Sequence, residues 1–231
     1  MGWVATFFRS SIGSKFLMAL TGILLLFFVL GHMTGNLLIF QGAEALNAYA
    51  HWLHDHPKFL WTSRIVLLAI FVIHVTTAIR LKLENMAARP VSYVKGRTLK
   101  ATLASRSMVF TGLLLLAYIL FHLLHFTLGV VQKDATGPSG PGGEKDVYAM
   151  VVTSFGNPVY AAGYILAIAL LWLHLWHGIA SFFQTMGWSH PRWTPLFTFL
   201  GKALSLLIFL GYVSVPFSVL TGLLKLPAGG N

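Results

Sequence analysis

Five long apolar stretches organise this chain, at roughly 15–40, 60–83, 107–131, 158–185 and 200–224, each able to cross about 30 Å of hydrocarbon at about 1.5 Å per residue of helix. Each of the first four carries a histidine well inside it: His32, His74, His122 and His174. An ionisable side chain in hydrocarbon is costly and marks a functional position. Imidazole is also the common protein ligand of haem iron, so four histidines on four neighbouring helices form the ligand complement of two bis-histidine b haems. The expected fold is an all-α membrane protein of five transmembrane helices, the first four forming a bundle around two stacked haems, with residues 1–231 as a single integral membrane domain.

Composition agrees with that class. Hydrophobic residues make up 56% of the chain and charged residues 10%, and the mean hydropathy is +0.75, outside the range of an ordinary soluble domain. The formal charge of +10 could suggest nucleic acid. The basic residues, however, lie between the apolar stretches, as membrane topology requires, and no nucleic-acid partner is expected. The absence of cysteine excludes disulfides, Cys-ligated iron–sulfur clusters and thiol redox chemistry on this chain. The first apolar run, from Lys15 to Phe40, is too long for a signal-peptide core and shows no clear small-residue cleavage site, so a retained helix is expected.

Eleven basic residues fall on one side of the five spans: Arg9 and Lys15, then Arg80, Lys82, Arg89, Lys95, Arg97, Lys100 and Arg106, then Arg192 and Lys202. Five fall on the other: Lys58, Arg64, Lys133, Lys145 and Lys225. The positive-inside rule places the N-terminus in the cytoplasm and the C-terminus outside. The segment Gln132 to Asp146, rich in Gly and Pro, reads as a flexible outer loop. In the outer segment from Gln41 to Lys58, by contrast, Ala43, Leu46, Ala50 and Leu53 recur at helical spacing, so a helix lying flat at the interface is expected there. No internal repeat is read from the sequence.

Counted from the cytoplasmic end of each span, His32 and His122 lie about 25 and 22 Å up, and His74 and His174 about 14 to 15 Å up. The histidines therefore form two levels, an outer pair (His32, His122) and an inner pair (His74, His174). Two more complicate the choice. His125 follows His122 by three residues and His177 follows His174 by three, so each shares a helix face with its neighbour and either member could bind iron. Depth favours His122, because His125 would lie about 27 Å up, close to the surface. The competing reading for His125 and His177 is a polar residue hydrogen-bonded within the bundle or to a haem propionate.

The run SSIGSKFLMALTGILLLFFVLGHMTGN (Ser10 to Asn36), the GAEALN segment (Gly42 to Asn47), FHLLHFT (Phe121 to Thr127) and LHLWHGIASFFQTMG (Leu173 to Gly187) together resemble the di-haem cytochrome b subunit of succinate:quinone oxidoreductases and fumarate reductases. The resemblance covers nearly the whole chain. It places the ligand role on the first histidine of each paired motif, His122 and His174. It implies a bacterial cytoplasmic (inner) membrane anchor, multi-pass, for two cytoplasmic partners: a flavoprotein subunit that oxidises succinate in the tricarboxylic acid cycle and an iron–sulfur subunit. FAD and the iron–sulfur clusters would reside on those partners, and this chain would carry two haem b and pass electrons to a quinone, menaquinone being the common choice in di-haem members. No dicarboxylate site is expected here.

Arg9 and the basic loop from Arg80 to Arg106 form the expected docking surface and would equally attract anionic lipid head groups. Arg64, Arg80 and Lys82 are candidates for haem propionates, against the alternative of interfacial snorkelling. Glu44 and Asp55 are candidates for proton exchange at an outer quinone site, against that of solvated loop carboxylates. Some fumarate reductases of the family place a glutamate two residues before the fourth ligand; Trp172 stands there in this chain, which argues against a glutamate-gated proton path. Two alternatives remain: a di-haem cytochrome b of another quinone-linked dehydrogenase, such as a hydrogenase or formate dehydrogenase, and a non-haem proton channel or transporter using the histidines as a relay.

Overall fold

The computed structural model describes residues 2–88, 103–133 and 145–226. The protein is all-α among these residues, with helices α1 (Trp3–Arg9), α2 (Ser11–Leu37), α3 (Ala43–Asp55), α4 (Pro57–Ala87), α5 (Leu103–His122), α6 (Val147–Gly156), α7 (Pro158–Thr185) and α8 (Thr194–Leu220). Five segments are long and apolar enough to cross a membrane: Ser11–Gln41, Pro57–Ala87, Ser107–Thr127, Pro158–Thr185 and Thr194–Leu220. They fall on the five expected spans. Arg89, Lys95, Arg97 and Lys100 of the basic loop, the side chain of Arg106, and most of the Gly/Pro-rich outer loop lie outside the described residues.

The lipid-facing and protein-facing sides of α4 can be read directly. Trp61, Ile65, Leu68, Val72, Ile79, Leu83 and Met86 are exposed apolar residues at helical spacing, the stripe that hydrocarbon would cover. Thr77 and Leu81 are buried, and His74 stands one turn before Thr77 on that face.

Span ends differ from expectation for local reasons. The third span stops at Thr127 because its last turn, Leu123–Thr127, is a π-helix, closed by Leu128 N–H donating to the Leu123 carbonyl at 2.8 Å. Gly129 then turns left-handed at φ 63°. The fifth ends at Leu220 because Gly222, at φ 72°, completes a Schellman cap: its N–H reaches the Val219 carbonyl at 3.0 Å, and Leu223 N–H reaches Ser218 at 2.9 Å.

The chain divides into two compact units. The first comprises Met1–Phe28, Arg64–Leu113 and Leu173–Leu206. Here Ser10 caps α2, its Oγ accepting from Gly13 N–H at 3.0 Å. Arg80 donates to Glu84 at 2.7 Å and to the Arg9 carbonyl, tying α4 to the end of α1. Phe183 stacks on Phe197 at 4.3 Å, so the turn between α7 and α8 closes on aromatic contact.

The second unit comprises Val29–Ser63, Leu114–Trp172 and Leu207–Asn231. Its core is Ile39, Leu46, Tyr148, Val151, Val152, Phe155, Ala161, Tyr164, Val215 and Val219. Helix α6, absent from the sequence expectations, supplies four of these. Helix α3 forms where expected, with Leu46 buried and Ala43, Ala50 and Leu53 half-buried; this face packs on protein, since α3 contacts α6. Asn47 joins the two helices: its Nδ2 donates to Asp146 Oδ1 at 2.9 Å and its Oδ1 accepts from Tyr148 N–H at 3.0 Å. Asp146 in turn caps α6 through Ala149 N–H at 2.9 Å.

Candidate cofactor sites: two histidine pairs

Each unit contains one of the two expected pairs, His74 with His174 in the first and His32 with His122 in the second. In the first unit the two imidazoles are supported in the same way. Thr21 Oγ1 on α2 lies 3.1 Å from His74 Nδ1 on α4, and Thr111 Oγ1 on α5 lies 3.3 Å from His174 Nδ1 on α7. Each threonine hydroxyl already faces two backbone carbonyls, Leu17 at 2.8 Å and Met18 at 3.1 Å for Thr21, Ser107 and Met108 at 3.1 Å each for Thr111. A hydroxyl has one proton, spent on a carbonyl, so towards histidine it can only accept. Both histidines therefore carry their proton on Nδ1 and hold the lone pair on Nε2. That is the tautomer an axial metal ligand needs, with its other ring N–H anchored as metal-bound histidines are.

The residue after each threonine is a glycine, and the ring lies against it. A Cβ at Gly22 would sit 3.4 Å from His74 Cε1, and one at Gly112 would sit 3.5 Å from His174 Cε1. A methyl group would just touch the ring, and a longer side chain turned towards it would crowd the imidazole.

In the second unit the rings of His32 and His122 are 6.0 Å apart between centroids with planes at 86°. Two imidazoles facing one metal on a common axis, each at a metal–nitrogen distance of about 2.0 Å, place their centroids about 6 Å apart. His122 is enclosed by Tyr118, Phe126 and Tyr164, at centroid distances of 5.9, 5.6 and 6.0 Å. His32 lies 6.2 Å from Tyr212, whose hydroxyl donates to the Val29 carbonyl at 2.8 Å.

The second histidine of each motif is engaged differently. His125 is buried at 3% exposure, with Nδ1 3.0 Å from Tyr164 Oη and Nε2 3.1 Å from Gln132 Oε1. His177 Nε2 is 3.0 Å from Ser181 Oγ, one turn along its own helix. Arg80 is committed to Glu84 and Arg9, as described above. Arg64 and Lys82 are exposed on α4, as are Glu44 and Asp55 on α3; Trp172 packs on Phe209 at 5.4 Å. Among the described residues no group of three or more His, Cys, Asp or Glu converges as a bare-metal site. The donor set is histidine in pairs, which suits a metal whose other four ligands come from a macrocycle.

The residues that sequence reasoning missed are the two threonine–glycine steps, Tyr164 and Gln132. The signal for the first was present as an internal repeat, contrary to the expectation of none. Met18 to His32 and Met108 to His122 share the pattern M-x-x-T-G-x-L-L-L-x-x-x-L-x-H, identical at Met, Thr, Gly, four Leu and His at a constant offset. Each copy thus carries the threonine and glycine that support one member of the His74/His174 pair and, eleven residues on, one member of the His32/His122 pair. No protein-family model, curated protein or solved structure matches the chain.

Proposed function

We propose that this chain is a di-haem cytochrome b, the membrane anchor of a succinate:quinone oxidoreductase. The observation that carries the di-haem part is the duplicated Thr–His hydrogen bond, which leaves Nε2 of both His74 and His174 as a lone-pair donor; the His32–His122 centroid distance of 6.0 Å adds the second pair. Bound haem would supply one-electron transfer. The chain's own residues do the holding. His74 and His174 would hold one iron and His32 and His122 the other, Thr21 and Thr111 keep the first two rings in the ligating tautomer, and Gly22 and Gly112 leave room for those rings beside α2 and α5. A haem held by two imidazoles would have no position left for a small exogenous ligand.

The succinate-linked part rests on the sequence resemblance. In that reading the N-terminus is cytoplasmic, electrons enter at the His74/His174 site from an iron–sulfur partner, and they leave to a membrane quinone. A dithionite-reduced minus oxidised spectrum of the purified protein, with haem quantified per chain, tests the di-haem reading. Two low-spin b haems that do not bind carbon monoxide are expected; a spectrum without a Soret band would refute the reading in favour of a histidine relay. Co-purification with a flavinylated subunit and an iron–sulfur subunit separates the succinate-linked reading from that of another dehydrogenase.

A further inference from the structure

Three local irregularities converge beside His122. The helix leaves α geometry at a π turn immediately after it, Leu123–Thr127, and such turns concentrate at functional positions. Gln132 has φ 54°, the only non-glycine residue among those described with a left-handed backbone, a conformation that persists only where its surroundings enforce it. Inside that turn lies the buried His125, stacked on Phe126 at 4.3 Å and 4.9 Å from Tyr160.

What these irregularities build is a hydrogen-bond chain with a defined proton order. Gln132 Oε1 is an acceptor only, so His125 Nε2 carries the proton it faces at 3.1 Å. A neutral His125 then has its lone pair on Nδ1, which accepts the Tyr164 hydroxyl proton at 3.0 Å. Tyr164 Oη, its proton so used, can only accept from His122 Nδ1, 3.4 Å away. The result places the Nδ1 proton and the Nε2 lone pair on His122, the same tautomer that threonine imposes on His74 and His174. Here it is reached through an aromatic side chain instead of a hydroxyl tied to its own helix.

We propose that Tyr164 is the positioning residue for the His122 ligand, and that His125 and Gln132 serve to orient the Tyr164 hydroxyl. This rests on the di-haem reading. An acceptor at Nδ1 makes the ligating imidazole more electron-donating and favours the oxidised iron, and a hydrogen bond held in a chain polarises its neighbours. The 3.4 Å contact is long, so the effect on the haem is moderate while the restraint on ring orientation is firm, given the enclosure by Tyr118 and Phe126.

The test is a spectroscopic redox titration of the purified protein and of Tyr164→Phe, His125→Phe and the double variant. It is combined with low-temperature electron paramagnetic resonance, whose largest g value reports the mutual angle of the two axial imidazoles. In Tyr164→Phe the haem held by His32 and His122 should shift towards the reduced state by about three- to tenfold in its reduction equilibrium, tenfold being 59 mV for a one-electron couple. Its g value should move, with the other haem unchanged. His125→Phe should keep both haems and give a smaller shift of the same sign, and in the Tyr164→Phe background it should add nothing. An unchanged potential and g value in Tyr164→Phe, an equal shift of both haems, or a fully additive double variant would overturn the proposal. A wild-type protein without haem would overturn the di-haem reading itself, a distinct and separately visible result.

Discussion

His122 reaches the same tautomer as His74 and His174 by different means. At His74 and His174 the support is short and duplicated: a threonine on the facing helix, its own proton held by the backbone, accepts from the ring, and a glycine leaves the ring room. At His122 the support is assembled from Tyr164, His125 and Gln132, which come from α7, a π turn and a loop, inside a unit with a packed core of its own. The first design uses one residue per histidine, supplied by a repeated helix pattern and met by packing of a single facing helix. The second runs through three side chains in series, so it is open to tuning by residues that never touch His122.

The largest expected effect breaks the comparison at the ligands. On the proposed succinate-linked di-haem reading, His174→Ala should remove the haem at the His74/His174 site and block succinate-driven reduction of the other, whereas His122→Ala should remove only its own haem and leave the first reducible; haem stoichiometry and succinate-reduced spectra check this. Loss of haem in His177→Ala or His125→Ala, with retention in the neighbouring alanine variant, would reverse the assignment of ligands.

Next comes the glycine support. On the di-haem reading, Gly22→Leu or Gly112→Leu should lower the haem content from two per chain towards one, because the side chain would crowd a histidine ring, while Gly31→Leu, at a glycine with open space around its Cβ position, should retain both. Equal retention in all three variants would remove the glycines from the argument.

A smaller effect is expected at the threonines. Thr21→Val or Thr111→Val keeps the shape but offers no acceptor, and loss of such a partner typically weakens a metal site about 10- to 100-fold. The haem at His74/His174 should therefore be lost more readily to a competing haem-binding protein than the other, with its reduction equilibrium shifted towards the reduced state. A shift confined to the His32/His122 haem would contradict the hydrogen-bond assignment.

The smallest effect lies away from both pairs. Asn47→Ala removes two hydrogen bonds between α3 and the start of α6 and should cost about 1–3 kcal/mol of stability, with little change in either haem spectrum. A thermal unfolding comparison checks the first part, and a spectrum at room temperature the second.

The sequence alone determined the number and placement of the five apolar helices, because hydrocarbon imposes a length and a composition that can be read without knowing any contact. It also singled out the four mid-span histidines, whose cost in that environment makes them conspicuous, and it contained the duplicated threonine–glycine pattern. What only the tertiary structure decided was which atoms face the histidines. Thr21 and His74 are 53 residues apart and Thr111 and His174 are 63 apart, and only packing shows the hydroxyls meeting Nδ1. The same holds at the second pair. Spacing placed His125 on the face of His122 as a rival ligand, but a π turn, which no periodicity signals, delivers it to Tyr164 and Gln132 with both ring nitrogens hydrogen-bonded. Helix α6 was equally hidden, since a ten-residue helix is too short to span a membrane and acquires its role only by packing against α3. Hydrophobicity is a property of each segment by itself, and hydrogen-bond direction belongs to pairs of atoms that folding alone brings together.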